Sequence, residues 1–165
     1  MLLLLNVLLV LFLGLIFWED FKFRLVNIFY FGAVVITGFV IFILKNGIFK
    51  NLAFSFVFLL INLLCIKAYL IIKEKDFAGN FLKINNLAEG DILFFLVIIP
   101  LFSFYNYVLF FITGLLISLI IHLFVKFRID KRETIPLAGY MAFYLVILIL
   151  FTQVSGRSLY VNIIF

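Results

Sequence analysis

The sequence predicts an all-α polytopic membrane protein, and three observations carry that prediction. Of the 165 residues, 68% are hydrophobic and only 13% are charged, against about 25% charged residues in an ordinary soluble domain. No soluble fold of this length has enough interior to bury so much apolar surface, and such a hydrophobic composition also excludes a disordered chain. Long uncharged runs alternate with short charged segments. We therefore expect one transmembrane domain over residues 1–165, with lipid as its solvent.

The uncharged runs predict about six transmembrane helices. A helix rises about 1.5 Å per residue, so roughly 20 residues cross a hydrocarbon core of about 30 Å. The run 92–125 would be about 51 Å long as a single helix, which exceeds that thickness. Pro100 and the polar residues at 103–106 divide it into two helices joined by a tight turn. The predicted spans are 2–18, 25–44, 51–72, 91–103, 106–125 and 136–152, and the fourth is the shortest.

Lysine and arginine predict the orientation of these helices, because cytoplasmic loops of membrane proteins are enriched in both. With six spans, ten of the 13 basic residues fall on one side of the membrane and three on the other. Lys67 lies inside the third predicted span but is counted with the ten, because a lysine one turn inside a helix end can snorkel to the interface. The larger group is Lys22, Arg24, Lys67, Lys73, Lys75, Lys83, Lys126, Arg128, Lys131 and Arg132, and the smaller is Lys45, Lys50 and Arg157. We therefore expect cytoplasmic charged loops and two extracytoplasmic termini. The net charge of +5 then reports topology, and no nucleic-acid partner is expected.

Two aspartates stand at predicted helix ends. Asp20 follows the first helix and Asp91 opens the fourth. Ionisable side chains at such depth are costly and are often functional. Asp91 also has a structural interpretation, as the N-cap of the fourth helix with Gly90 giving the preceding turn conformational freedom. Asp20 lacks that explanation, because an acid at a helix C-terminus faces the negative end of the helix macrodipole.

Three short segments resemble motifs of the type IV prepilin peptidases, which are GxGD-type intramembrane aspartic proteases. Residues 20–27, Asp-Phe-Lys-Phe-Arg-Leu-Val-Asn, resemble the first aspartate motif of the family. Residues 88–91, Ala-Glu-Gly-Asp, resemble the GxGD motif, and residues 135–139, Ile-Pro-Leu-Ala-Gly, resemble the start of the family's last helix. The resemblance implies catalytic carboxyl groups at Asp20 and Asp91. The supporting motif residues would be Gly90, Ala88, Glu89, Lys22, Arg24, Asn27, Pro136 and Gly139.

The chain departs from the family pattern in three places. Ala88 replaces the first glycine of GxGD, and the proline that usually precedes Asn27 is missing. The cysteine-rich methylation module of long family members is absent, and Cys65 is solitary within a predicted span. The chain thus resembles a minimal peptidase core.

The function implied by the resemblance is that of a membrane-embedded aspartic endopeptidase. It would cleave the leader of a type IV prepilin-like substrate at the cytoplasmic membrane interface of the bacterial inner membrane. Two adjacent carboxyl groups that share one proton can activate water and polarise a carbonyl, so no metal or organic cofactor is expected. The expected partners are the prepilin-like substrate and the lipid bilayer.

Two alternatives remain open at this level. One is a catalytically inactive family relative that acts as a membrane assembly or scaffold protein. The other is a small transporter, in which paired intramembrane acids are also expected. Transporters more naturally place such acids near the bilayer midplane, whereas all eight acids of this chain lie in the predicted charged loops or at their helix junctions.

Two further features have structural interpretations. Gly114 and Ser118 have the small-xxx-small spacing that lets transmembrane helices approach closely. His122 has no companion histidine, and the only cysteine is distant in sequence, so a packing role is favoured over metal binding.

Overall fold

The computed structural model of the protein describes residues 1–74, 89–128, 136–155 and 159. Over these ranges the chain is helical and contains no β-strand, which confirms the all-α prediction. The described helices are α1 (Leu2–Phe23), α2 (Ile28–Leu44), α3 (Phe49–Glu74), α4 (Glu89–Val97), α5 (Phe104–Arg128) and α6 (Leu137–Ser155), with a short 3₁₀ helix at Ile99–Leu101.

Four of these helices, α1, α3, α5 and α6, contain an apolar stretch of 19 to 22 residues that is long enough to cross a membrane. Helix α2, with 17 residues, and the segment Gly90–Leu101 are apolar but shorter. Many large apolar side chains are exposed on the helices, for example Leu11, Phe124 and Phe151. Exposed apolar surface of this extent is expected where helices face lipid, so the architecture is compatible with a multi-pass membrane protein.

The long uncharged run 92–125 divides into two helices, as the sequence predicts. Pro100 lies in the 3₁₀ helix after α4, because proline lacks a backbone N–H and its ring obstructs the preceding helical turn. The hydroxyl of Tyr107 in α5 donates to the carbonyl of Phe95 in α4 at 3.1 Å. The backbone N–H of Ser103 donates to the carbonyl of Leu159 at 3.2 Å. The first bond links α5 to α4 across the turn, and the second ties the turn to a residue that follows α6.

Helix α6 is the most enclosed of the four long helices. Within its apolar stretch 44% of the residues are buried, compared with 11–22% in the other three. It packs most extensively against α1 and also contacts α5 and α4. Small residues at its start, Ala138, Gly139 and Ala142, are all buried, which lets neighbouring helices approach closely. Helix α6 therefore holds α1 and α4 together.

Helix α1 continues beyond its predicted end at residue 18 and includes Asp20 in its last turns. Arg24 ends the helix in a left-handed conformation, and its backbone N–H donates to the carbonyl of Asp20 at 3.1 Å. Asn27 then caps α2, because its side chain accepts the N–H of Phe29 at 3.1 Å. The backbone N–H of Asn27 donates to Glu19 Oε2 at 2.9 Å. A short turn thus joins α1 to α2 at the end of the bundle that holds Asp20, called here the aspartate end.

Candidate active site

The carboxyl groups of Asp20 and Asp91 bind consecutive backbone amides at the start of α6. Asp20 Oδ2 accepts the N–H of Gly139 at 2.6 Å, and Asp91 Oδ1 accepts the N–H of Ala138 at 2.8 Å. The first N–H groups of an α-helix have no partner within the helix, and the positive end of its macrodipole attracts carboxylates. The start of α6 therefore brings together two acids that are far apart in sequence.

Both aspartates are buried, each with only 8% of its surface exposed. Their carboxyl groups lie close together, because the two amides that they bind belong to consecutive residues. A buried carboxyl group needs a hydrogen-bonding partner to offset its lost hydration, and the α6 amides supply one to each. We call Asp20 and Asp91 together the aspartate pair.

The interpretation of Asp91 as an N-cap is wrong. Helix α4 begins at Glu89, so Asp91 lies within its first turn, and the described hydrogen bond of its side chain goes to Ala138 of α6. Gly90 is also helical and has no left-handed φ, so the turn freedom attributed to it is not needed. A Cβ at Gly90 would meet no atom within 4 Å. Gly90 therefore leaves open space beside Asp91.

The third motif places a glycine where α1 approaches α6 most closely. A Cβ on Gly139 would lie 3.1 Å from Asp20 Oδ2, 3.2 Å from Asp20 Cβ and 3.3 Å from the carbonyl oxygen of Phe17. Pro136 directly precedes the helix and its carbonyl accepts the N–H of Tyr140 at 3.1 Å. Proline suits a helix start because the first helical N–H groups have no intrahelical partner in any case. Both residues therefore shape the segment that binds the aspartate pair.

A cavity of about 450 Å³ opens beside the aspartate pair. Its apolar wall comes mainly from the α1–α2 turn and from α2. Among the described residues that line it, Arg24 is the only basic one. The lining residues are Asp20, Arg24, Leu25, Val26, Ile28, Phe31, Gly90, Asp91, Leu93 and Ala138.

The two basic residues of the first motif lie in different surroundings. Arg24 lines the cavity, whereas Lys22 does not. The Nζ of Lys22 lies 4.9 Å from the ring centroid of Phe23 and 5.8 Å from that of Trp18, distances typical of cation–π contacts. Of the remaining motif residues, Asn27 caps α2, Glu89 begins α4, and Ala88 lies outside the described residues.

Metal ligands do not cluster in the part of the chain that the structure describes, where no group of three or more His, Cys, Asp or Glu residues is placed to hold an ion. His122 is buried in α5, with its ring centroid 6.5 Å from that of Tyr140 in α6. Its described ring neighbour is thus an aromatic side chain of the adjacent helix.

Sequence reasoning missed the groups that hold the pair. The donors are backbone amides of Ala138 and Gly139, and a backbone N–H carries no residue-type pattern. It also missed the hydrogen bond from Asn27 to Glu19 and the apolar cavity wall built by Leu25 and Val26. The third motif was the only sequence signal for these donors. It indicated that residues 135–139 begin a helix of the site, but not that its amides bind the aspartates.

No protein-family model, curated protein or solved structure matches the chain. The fold and the site together define a helical protein compatible with multiple membrane crossings, in which two buried carboxyl groups share one helix start beside an open cavity.

Proposed function

We propose that this protein is a membrane-embedded aspartic endopeptidase of the prepilin-peptidase type. The observation that carries the proposal is the binding of Asp20 and Asp91 to consecutive amides of α6 beside a cavity. The three motifs that resemble the family converge on this place, since they contribute Asp20, Asp91 and Gly139. Helical membrane proteins seldom bury acids without a functional reason.

The chemistry of peptide hydrolysis suits such a pair. One carboxylate takes a proton from the attacking water, while the protonated partner donates a hydrogen bond to the scissile carbonyl. In the described hydrogen bonds each carboxyl group uses one oxygen for its α6 amide, Asp20 Oδ2 and Asp91 Oδ1. The proposal assigns the second oxygen of each group to water and substrate. The amides fix the orientation of both acids before substrate arrives, which lowers the cost of positioning during the reaction.

The proposed substrate is a prepilin-like protein with a basic leader and an apolar helix. The aspartate pair lies where α1 ends and where α4 and α6 begin, and the proposal therefore puts it near a membrane interface rather than at the midplane. This placement favours a peptidase over a transporter, whose acids would be expected deeper. The positive-inside bias favours the cytoplasm for this end, and the resemblance to prepilin peptidases adds the bacterial inner membrane to the proposal.

The experiment combines the purified protein in detergent with a peptide that carries a basic leader followed by an apolar segment. Asp20→Asn and Asp91→Asn keep the size of each side chain and its ability to accept the α6 N–H. We expect each to reduce the cleavage rate by at least about 10³-fold, because general acid–base catalysis contributes on that scale. Glu19→Gln is the matched control, because Glu19 neighbours Asp20, binds the Asn27 N–H and does not line the cavity. We expect its rate to stay within about twofold of the wild type, since glutamine still accepts that bond.

The possible results separate the proposal from its alternatives. Cleavage that survives both aspartate substitutions would rule out the pair as the catalytic group. Wild-type protein that cuts no candidate prepilin would favour the inactive scaffold. The transporter would be favoured if the wild-type protein cleaved no peptide but carried protons across proteoliposome membranes, and if each aspartate substitution abolished that proton flux.

A further inference from the structure

Arg24 occupies a backbone conformation that its residue type rarely adopts. It has φ 59° and ψ 21°, and among the described non-glycine residues only Asn46 also has a positive φ. Side chains with a Cβ pay about 1–2 kcal/mol in the left-handed region, which glycine and asparagine tolerate best. Asn46 is therefore an ordinary occupant of this conformation and Arg24 is not. Such outliers persist only where the surrounding structure holds the residue in place, and they cluster at functional sites.

The side chain of Arg24 lies at the aspartate pair. It lines the same cavity as Asp20 and Asp91, and its Nε and Nη1 atoms are screened from solvent. Opposite charges that line one partly enclosed cavity attract each other, so Arg24 and the carboxyl group of Asp20 interact. The left-handed backbone places Arg24 directly after the helix end, one turn beyond Asp20, whose carbonyl accepts its N–H.

The other charged residues in the last turns of α1, Glu19 and Lys22, do not line the cavity of the pair. Glu19 binds the backbone N–H of Asn27, and Lys22 lies over the Phe23 and Trp18 rings. The sequences of α2 and α6 contain no charged residue at all. Buried negative charge is strongly destabilising without a compensating positive partner. Among the described residues Arg24 is the cation positioned to supply it.

We infer that Arg24 is the counter-charge of the aspartate pair. It is a positioning residue that offsets the negative charge of the pair and so keeps both carboxyl groups on the α6 amides. A role of Arg24 in catalysis rests on the proposed function. The charge compensation does not, because it can be measured in the protein without substrate.

A thermal double-mutant comparison tests the compensation without any substrate. Arg24→Asn removes the charge while keeping a residue that tolerates the left-handed conformation. We expect it to lower the melting temperature of the detergent-solubilised protein by about 4 °C. In a background with Asp20→Asn and Asp91→Asn it should cause no loss, because Arg24 would there be a buried cation without its negative partners. Lys22→Asn is the matched control, and its effect should be equal in both backgrounds.

An equal drop in melting temperature for Arg24→Asn in both backgrounds would overturn the inference, because Arg24 would then act independently of the pair. A larger drop in the neutral background would overturn it as well.

A kinetic comparison separates positioning from substrate binding. Arg24→Asn should lower kcat by about 10- to 100-fold, less than the roughly 10²- to 10³-fold cost of losing a direct transition-state donor, because Arg24 acts through the pair. KM should stay within about twofold. Arg24→Lys should recover most of that loss because it restores the positive charge.

A rise in KM with unchanged kcat would mean that Arg24 binds the substrate, which would contradict the inference. If the wild-type protein cleaves nothing, the proposed function fails, and the thermal comparison still decides whether Arg24 balances the pair.

Discussion

At the scale of single residues, Gly139 matters to the aspartate pair because glycine has no side chain to separate α6 from α1. The backbone of α1 at Phe17 and the side chain of Asp20 both lie within 3.3 Å of the position that a Cβ would take. Its N–H is at the same time the donor to Asp20 Oδ2. Gly139 therefore has two roles: it lets α1 approach α6 closely, and its N–H binds Asp20.

Gly139→Ala should impair the site more than the fold. The added methyl group would displace Asp20 by a few tenths of an ångström, and small misplacements of reacting groups can cost up to about 10²-fold in rate. We expect cleavage to fall by about 10- to 100-fold, and the melting temperature to fall by about 4 °C, because overpacking typically costs about 1–3 kcal/mol. The measurements are the peptide cleavage rate and a thermal melt in detergent.

Gly32→Ala is the matched control for this prediction. Gly32 lies within α2, is exposed, does not line the cavity, and has open space around its Cβ position. Alanine is the better helix former by about 1 kcal/mol, so stability should not fall and cleavage should remain normal. If Gly139→Ala behaved in the same way, the close contact with Asp20 would not control the site.

At the scale of elements, the contact between α5 and α6 is the sharpest test of the helix packing. A Cβ on Gly114 of α5 would lie 2.5 Å from Sδ and 2.6 Å from Cε of Met141 in α6. Met141 is fully buried, so it has little room to move away. The small-xxx-small spacing thus marks a real close approach, with Gly114 and Ser118 both buried in α5.

Gly114→Leu should destabilise this contact, and Met141→Ala should partly restore it. Overpacking a tight interface costs about 1–3 kcal/mol, and we expect the melting temperature to fall by about 5 °C. Truncating Met141 in the same chain makes room for the leucine, so the double variant should be more stable than the sum of the two single effects predicts. Strictly additive effects in thermal melts would mean that the two residues do not meet.

The sequence predicted the helices better than it predicted their ends. Hydrophobic runs reveal membrane-length helices because burial in lipid requires uninterrupted apolar surface. Charges do not end a helix, however, and α1 runs through Glu19, Asp20 and Lys22 because its backbone hydrogen bonds continue. The location of Arg24 in the cavity and of Lys22 outside it was equally hidden, because adjacent basic residues look alike in a sequence.

The aspartate pair itself was predictable from the motifs, but its construction was not. Resemblance singled out Asp20 and Asp91 and the start of α6. The bonds to Ala138 and Gly139 depend on how three helices pack, over sequence separations of 47 and 119 residues. Local propensity favoured the N-cap role for Asp91, and tertiary packing overrode it.

At the scale of the whole molecule, the proposed orientation can be measured from the two ends of the bundle. Phe23 is exposed at the aspartate end, and Ile48 is exposed between α2 and α3 at the other. Cys65, which is exposed, is first replaced by serine. In intact spheroplasts, a membrane-impermeant maleimide should label Ile48→Cys but not Phe23→Cys, because the topology proposed from the positive-inside bias has the aspartate end in the cytoplasm.

Opening the membrane should expose Phe23→Cys to the same reagent. The opposite labelling pattern would invert the proposed topology and move the aspartate pair to the outer surface. Labelling of both positions in intact spheroplasts would place α2 on one side of the bilayer instead of across it.

The order of biosynthesis gives the start of α6 a further importance. A membrane protein is inserted from its N-terminus onward, so Asp20 and Asp91 leave the ribosome before Ala138 and Gly139. Until α6 arrives, neither carboxyl group has the amide that orients it. The nascent chain therefore carries both acids without an assembled pair, and the proposed protease stays inert until the start of α6 has been made and packed.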